Sequence, residues 1–230
     1  MSIFVIGDLH LSFNTDKPMD VFGPEWAEHY KKIEEDWRSR VTEEDLVIIP
    51  GDISWAMSFE SAATDLGWID ALPGRKVLFK GNHDYWWTSK AKMDFVYESI
   101  EFMHNSFTTY GQTAICGTRG WLCPNDIQFT EDDEKIYKRE AMRLENSIKQ
   151  AVKAGCEKLI VALHFPPTND KKEPSLFTEV IDKYPVDKVV YGHIHSKAYF
   201  STTLQGVYHD VSYYLTSCDF LEFKLLELED

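Results

Sequence analysis

The sequence of 230 residues contains no long hydrophobic run, and its longest apolar stretches are only a handful of residues. A membrane-spanning helix needs about 20 apolar residues in succession, so we expect no such helix and no membrane partner. The first ten residues, MSIFVIGDLH, also lack the basic segment and the small-residue cleavage site of a signal peptide. They are typical of a first β-strand, and we therefore expect a cytoplasmic protein.

Cysteine is scarce, and the four thiols of Cys116, Cys123, Cys156 and Cys218 are widely spaced and form no CxxC pair. Because no export signal is present, we expect these residues to be reduced thiols in the core. A disulfide between Cys116 and Cys123 across a loop is the alternative interpretation.

Basic residues are few: the chain has 24 of them against 38 acidic residues, and the formal net charge is −14. A surface of this sign repels nucleic-acid backbones and anionic membranes. It does not exclude a small phosphorylated substrate, because a bound metal ion can override the global field locally. We therefore expect a small phosphorylated partner and no long nucleic acid, while the sequence indicates no oligomeric state.

The chain also has no internal repeat, no low-complexity tract and no linker rich in proline, glycine or serine. Its content of 43% hydrophobic and 14% aromatic residues suffices for a packed core. We therefore predict a single domain that spans residues 1–230.

Short apolar runs each end in a polar cluster, and uninterrupted runs of this kind are typical of strands that are covered on both faces. These runs are residues 3–6, 46–49, 77–79, 159–163 and 189–191. Helical patterns lie between them at residues 24–40, 58–72 and 130–154. Thr130 and Asp133 approximate a capping box at the start of the third helix. Further strands are predicted at residues 198–202, 207–211 and 220–228, so an α/β fold with two sheets and an antiparallel end is expected.

Polar residues that can bind a metal or move a proton follow the strands. The carboxyl ends of strands in open α/β sheets face one crevice, so these residues can converge. Seven of them are candidate ligands, namely Asp8, His10, Asp52, Asn82, His164, His193 and His195. Imidazole and carboxylate ligands together suit zinc, manganese, iron or nickel. Seven ligands are too many for one ion and suit two ions that share a carboxylate.

The motifs D-x-H, GD, GNHD, H and GHxH, in this order from Asp8 to His195, resemble those of the calcineurin-like metallophosphoesterases. The longer strings GDISWA, GNHDYWW and GTRGW resemble an uncharacterised bacterial phosphohydrolase subgroup of that superfamily. The resemblance implies a four-layer α-β-β-α sandwich of two mixed β-sheets flanked by helices. It also implies the ligand sets, which are Asp8, His10 and His195 for one ion, Asn82, His164 and His193 for the other, and Asp52 as the bridge.

This resemblance indicates a binuclear metal-dependent phosphohydrolase, which cleaves a phosphomonoester or phosphodiester by attack of a metal-bridging hydroxide. Two divalent or trivalent transition-metal ions are the expected cofactors, with manganese preferred and iron, zinc and nickel left open. His83 is placed to assist the leaving group by protonating its oxygen. Asp84 would orient His83, or it would cap the helix that is expected to start near residue 88.

Asn82 and Arg119 are the candidate phosphate contacts, because glycines flank Arg119 and arginine binds phosphate through two parallel hydrogen bonds. The alternative for Arg119 is a loop arginine that bonds an acidic neighbour. Arg139 and Arg143 are four residues apart on the third predicted helix, where surface salt bridges with nearby glutamates are expected.

Tryptophans near the motifs either pack behind the metal-binding loops or line the cleft, and both interpretations stay open. They are Trp55, Trp86, Trp87 and Trp121. His209 matches no motif and is interpreted as a core or surface residue.

Two other functions remain. One is a nucleotide or cyclic-nucleotide phosphodiesterase or a nuclease, and the other is a non-catalytic interaction scaffold. The negative charge disfavours a nuclease for long polymers, and the complete ligand set disfavours a scaffold.

Overall fold

Two mixed β-sheets form the centre of the computed structural model, which describes residues 1–229. In chain order the strands are β1 (Ile3–Val5), β2 (Leu46–Ile49), β3 (Arg75–Leu78), β4 (Ile100–Phe102), β5 (Phe107–Tyr110), β6 (Thr113–Thr118), β7 (Lys158–Leu163), β8 (Val186–Tyr191), β9 (Gly206–Tyr208), β10 (Val211–Leu215) and β11 (Leu226–Leu228). The first sheet has the order β11-β1-β2-β3-β4 and the second has the order β5-β6-β7-β8-β10-β9. The central strands of each sheet are parallel. Antiparallel strands lie at one edge of the first sheet, where β11 pairs with β1, and at both edges of the second, where β5 and β9 lie.

Helices cover the outer face of each sheet. They are α1 (His29–Arg40), α2 (Ala63–Asp70), α3 (Lys90–Met93), α4 (Glu131–Lys153), α5 (Leu176–Ile181) and α6 (Lys197–Phe200). Apolar residues of α1, α2 and α3 pack on the first sheet, and those of α4 and α5 pack on the second. The predicted four-layer α-β-β-α sandwich is thus confirmed.

The position of β2 between two cores explains why its sequence does not alternate apolar and polar residues. Its Leu46 and Ile48 belong to the core between the two sheets, whereas Val47 and Ile49 belong to the core beneath the helices. All four side chains are fully buried. Successive side chains of a strand point to opposite faces, so a strand with both faces covered has to be apolar throughout.

The strands of the second half of the chain differ from the prediction. Residues 198–202 were expected to be a strand, but α6 occupies most of them, because an apolar run this short fits either structure. The strand expected at residues 220–228 is restricted to β11, since Glu222 and Phe223 have the positive φ angles 53° and 61°. The end of the chain is only partly antiparallel, because β10 pairs with β8 in parallel.

Two predicted helices are shorter than expected. The segment 24–40 is divided at Glu28, whose φ of 49° is left-handed, so that a 3-10 turn at Pro24–Trp26 precedes α1. In the segment 58–72 the helix α2 begins at Ala63, because Ser58 and Ser61 first bond each other in a turn. Hydroxyl groups that bond the nearby backbone compete with the helix in this way.

All four cysteines are free thiols, so the alternative disulfide between Cys116 and Cys123 is wrong. Three of the four are buried, as expected for core residues. Among the described residues, none of the helices combines the length and the apolar composition that crossing a bilayer requires.

The long helix α4 begins and ends as its sequence predicts. The Thr130 hydroxyl accepts a hydrogen bond from the backbone N–H of Asp133, and the Asp133 carboxylate accepts one from the backbone N–H of Thr130. Acidic residues fill the first turn, where the helix dipole favours negative charge. Gly155 follows the helix with a φ of 87°, a conformation that glycine adopts readily.

We expect Thr130→Ala to lower the free energy of unfolding by about 0.5–2 kcal/mol, since it removes the capping hydrogen bond. Urea unfolding monitored by circular dichroism measures this value. Ser89→Ala is the matched control, because Ser89 occupies the N-cap position of α3 without a capping side-chain bond. Equal stabilities of both variants and the parent protein would contradict the role of the cap.

Candidate metal centre

The seven predicted ligands converge where the carboxyl ends of the parallel strands of both sheets meet. Each follows a parallel strand by a few residues, as Asp52 follows β2 and His164 follows β7. The donor atoms fall into two clusters, and in each cluster they lie within 4.8 Å of one another. The clusters are Asp8, His10 and His195, and Asp52, His164 and His193.

In the first cluster two imidazole rings face each other. His10 Nε2 and His195 Nε2 are 3.2 Å apart, and Asp8 Oδ1 lies 3.8 Å from His195 Nε2. Metal–nitrogen bonds of about 2.1 Å, at tetrahedral or octahedral angles, place neighbouring donors roughly 3.0–3.4 Å apart. The spacing of the two nitrogens therefore fits an ion held between them.

In the second cluster one nitrogen faces three donor atoms. His164 Nε2 is 2.7 Å from Asn82 Oδ1, 3.2 Å from His193 Nδ1 and 3.4 Å from Asp52 Oδ2. The other ring nitrogen, Nδ1, lies 3.1 Å from the carbonyl oxygen of Pro50, which can only accept, so Nδ1 carries the proton. The lone pair of Nε2 then points at the three other candidate ligand atoms, an arrangement that suits a metal ion.

Asp52 lies between the clusters. Its Oδ2 is 3.8 Å from His10 Nε2 on one side and 3.4 Å from His164 Nε2 on the other. Its Oδ1 accepts a hydrogen bond of 2.8 Å from the backbone N–H of His83. A Cβ atom at position 81 would lie 2.1 Å from Asp52 Oδ1, so only glycine lets the loop after β3 approach this carboxylate.

Left-handed backbone conformations concentrate at the candidate ligands. Four of them have φ angles between 44° and 71°, which are Asp8, His10, Asp52 and His193. Residues other than glycine disfavour this region by roughly 1–2 kcal/mol each, and such strain clusters at functional sites. The loops therefore hold these donors in orientations that an unstrained strand end would not provide.

Burial keeps three of the imidazoles neutral. It lowers the pKa of His164 to about 3 and lowers the pKa values of His10 and His193 well below the usual range. Burial also raises the pKa of Asp8 to about 7. Neutral imidazole is the form that binds a metal, so burial keeps His10, His164 and His193 in the form that suits metal ligands.

A further carboxylate, which the sequence analysis missed, orients His195. Asp219 Oδ1 lies 2.9 Å from His195 Nδ1 and directs the other nitrogen of the ring into the first cluster. Although burial lowers the pKa of His195, the bond to Asp219 and the charge of Asp8 raise it to about 9. Asp219 follows β10, the neighbour of β8 in the sheet, so its position four residues beyond a strand end was the available sequence clue.

His83 contacts the cleft directly. Its side chain is 36% exposed, its Nε2 lies 4.0 Å from Asp52 Oδ2, and its ring packs on Trp55 with the centroids 4.4 Å apart. The ring of Trp55 also stacks on His10 at 5.0 Å. Trp55 thus lies against both histidines, while Trp86 and Trp87 are buried in the core behind the loop.

The contacts of Asp84 match neither of its two predicted roles. Its buried carboxylate accepts hydrogen bonds from the backbone N–H groups of Gly81, Ile53 and Ser54 and from the indole of Trp86. These four donors occupy both oxygens, and among the described residues Asp84 has no bond to the His83 ring. The helix α3 is preceded by Ser89 instead. Asp84 therefore joins the loop after β2 to the loop after β3.

Arg119 lies beside the second cluster, but within residues 1–229 it does not bond an acidic neighbour as the alternative required. Its guanidinium stacks on Trp121 at 4.5 Å from the ring centroid. Its carbonyl oxygen accepts hydrogen bonds of 3.0 Å from the N–H groups of His164 and Phe165. His209, in contrast, is an exposed residue that pairs with Asp182 at 2.9 Å.

Comparison with known proteins connects this geometry to a family. The family model for calcineurin-like phosphoesterases matches residues 1–197, a range that includes all seven candidate ligands. Among curated proteins, the chain is 38% identical over 77 residues to the gene 66 protein of Mycobacterium phage L5, which is 34% of this chain and 37% of that protein. It is 36% identical over 84 residues to the gene 66 protein of Mycobacterium phage D29, which is 36% of this chain and 40% of that protein. The alignments thus span less than half of these relatives.

A solved structure has a similar fold. The phosphopantetheinyl hydrolase from Mycobacterium tuberculosis is 14% identical, with a TM-score of 0.52 over 92% of this chain and 87% of that chain. At this identity the likeness concerns the arrangement of sheets and helices alone.

We expect Asp219→Ala to weaken metal binding about 10- to 100-fold, because an oriented histidine binds a metal more tightly than a free one. Calorimetric titration of the metal-free chain with Mn²⁺ measures the affinity. Asp182→Ala is the matched control, since it removes an equivalent partner from the surface residue His209. An affinity as high as that of the control would show that Asp219 has no part in the site.

Proposed function

The chain belongs to the calcineurin-like phosphoesterases, a family of metal-dependent hydrolases, and from this premise we propose that it hydrolyses a small phosphomonoester or phosphodiester at a centre of two metal ions. The observation that carries the proposal is the position of Asp52. Its Oδ2 lies 3.8 Å from a donor of one cluster and 3.4 Å from a donor of the other. A carboxylate between two donor sets suits a bridging ligand.

The chain supplies a nitrogen and oxygen donor set that fits two transition-metal ions. Asp8, His10 and His195 would hold one ion, Asn82, His164 and His193 would hold the other, and Asp52 would bridge them. When bound, the two ions would lower the pKa of a water molecule and polarise the phosphoryl oxygens. Manganese is our preferred metal, and iron, zinc and nickel suit the same donors.

His83 is proposed to deliver a proton to the leaving oxygen. Its backbone N–H donates to Asp52 at 2.8 Å and its ring packs on Trp55, so both contacts position the residue beside the donor clusters. The partly exposed ring can exchange protons with solvent between turnovers. On the other side of the site, Arg119 is proposed to contact the phosphate through a guanidinium that Trp121 already orients.

A large cavity beside His83 has room for the alcohol part of the substrate. Its volume is about 950 Å³, and His10, His83 and His195 form part of its wall. Most of the other wall residues are apolar, and Trp26, Trp55 and Phe223 are among them. We therefore propose that the leaving group lies in this cavity and that aromatic rings contact it.

The two other functions, a phosphodiesterase or nuclease and a non-catalytic scaffold, have less support. A nucleotide or cyclic-nucleotide phosphodiesterase uses the same metal chemistry, but a nuclease for long polymers needs a basic track that a net charge of −14 opposes. A non-catalytic scaffold would not need the complete donor set. We also propose that residues 1–230 act as one domain in the cytoplasm, a location that the four free thiols support.

Asp52→Asn tests the bridge. We expect this variant to lose both activity and metal together, because the bridging residue would contact both ions. Elemental analysis after loading with manganese gives the metal content, and p-nitrophenyl phosphate and bis-p-nitrophenyl phosphate report hydrolysis of monoesters and diesters. Two tightly bound ions in the variant, or a parent protein that binds well under two ions and cleaves neither ester, would contradict the proposal.

His83→Ala tests the proton donor. We expect near-normal metal content and a kcat that is lower by roughly 10²- to 10⁴-fold on an alkyl ester, because general acid catalysis contributes this much. The decrease in kcat should be smaller with p-nitrophenyl phosphate, because p-nitrophenol is a good leaving group. His209→Ala serves as control, since this histidine lies at the surface. An unchanged rate on the alkyl ester would eliminate His83 as the acid.

A further inference from the structure

A second cavity of about 310 Å³ adjoins the loops of the metal centre and is lined by basic residues. Lys80 contributes from the loop after β3, Arg119 from the end of β6, and Arg139 and Arg143 from α4. Glu140 is the only acidic residue in the wall among the described residues. Four cations and one carboxylate in one cavity contrast with a chain whose net charge is −14, so the local field favours an anion.

Glu140 compensates only part of this charge. Its Oε1 lies 2.7 Å from Arg143 and 3.5 Å from Arg139, and its other oxygen accepts a hydrogen bond from Thr118. The expected salt bridges of the two arginines therefore exist, although Glu140 alone provides them. Glu140 is 1% exposed, and these three partners occupy both of its carboxylate oxygens.

Lys80 and Arg119 are the cations of this cavity that form no close ion pair among the described residues. Within residues 1–229 neither has a carboxylate oxygen inside 4.0 Å, and both side chains are partly buried. A partly buried cation without a partner is unfavourable, so an anion between these two side chains would stabilise both.

The cavity is also pre-organised for a phosphate group. The stacking of Arg119 on Trp121 restricts the guanidinium before any ligand arrives, and restriction of this kind reduces the entropy lost on binding. Arginine and lysine side chains that converge from three elements can contact several phosphate oxygens at once. The volume is at the small end of the range for ligand sites, which suits a phosphate rather than a large organic molecule.

We propose that this cavity is an anion subsite that binds a phosphate group beside the metal centre. The phosphate is either the second phosphate of a bisphosphorylated substrate or a free phosphate ion. Lys80 precedes the loop of Asn82, and the Arg119 carbonyl holds the backbone of His164, so a phosphate here borders the second donor cluster. Only the assignment to a substrate rests on the proposed hydrolase function, whereas binding of free phosphate does not.

Calorimetric titration of the manganese-loaded full chain with inorganic phosphate tests the subsite. Lys80→Gln is the first variant, because no ion pair of Lys80 is lost, and Arg143→Gln is the second. The control is Lys149→Gln, which removes the same charge from α4 at a residue paired with Glu145. We expect one phosphate fewer per chain, or an affinity at least tenfold lower, in both variants and a parental result in the control. Parental binding in both Lys80→Gln and Arg143→Gln would overturn the subsite.

A kinetic comparison distinguishes the two sources of the phosphate. The probes are fructose 6-phosphate and fructose 1,6-bisphosphate, which differ by one phosphate group. A kcat/KM at least tenfold higher for the bisphosphate, lost in Lys80→Gln, supports a substrate phosphate. Equal values for the two esters, with phosphate binding still lost in the variant, support a free phosphate ion. If neither fructose ester is cleaved, the two p-nitrophenyl esters decide the hydrolase proposal, and the phosphate titration alone decides whether the subsite exists.

Discussion

The structure depends on holding two buried carboxylates and several neutral imidazoles within a few ångströms of one another. Asp8 is fully buried and Asp52 is 1% exposed, and each lies near imidazole nitrogens rather than near a lysine or arginine that would neutralise it. Burial of charged groups costs several kcal/mol for each ion, and among the imidazoles beside these carboxylates only His195 has a raised pKa, of about 9. Bound cations would offset this cost, so an arrangement that is unfavourable in an apolar core would be favourable as the proposed binuclear metal site.

The two sheets make this arrangement possible. Parallel strands in both sheets end at one side of the molecule, and the loops that follow them carry the donors. The loops then lock one another, since Asp84 joins the loops after β2 and β3 and the Asp8 carboxylate accepts the backbone N–H of His193. Left-handed residues at four donor positions indicate that this mutual support maintains conformations that each loop alone would leave. Rigid loops are what catalysis by positioned charges requires.

Much of the fold and the candidate site could be predicted, because the signals lie within short stretches of the sequence. Uninterrupted apolar runs indicated strands covered on both faces, and Thr130 with Asp133 indicated where α4 begins. The candidate donors were recognisable because each follows a strand within a few residues. Asp219 and the true partners of Asp84 were not found, because they depend on which loops meet in space. The strand expected at residues 198–202 failed because a short apolar run does not distinguish a strand from a turn of helix.

Crystals of the chain grown with manganese, measured at the manganese absorption edge, test the central claim most directly. The account predicts two anomalous peaks per chain, roughly 3.5–4 Å apart. One peak would lie among Asp8, His10 and His195, the other would lie among Asn82, His164 and His193, and Asp52 would contact both. A single peak, or two peaks that Asp52 does not bridge, would contradict the account.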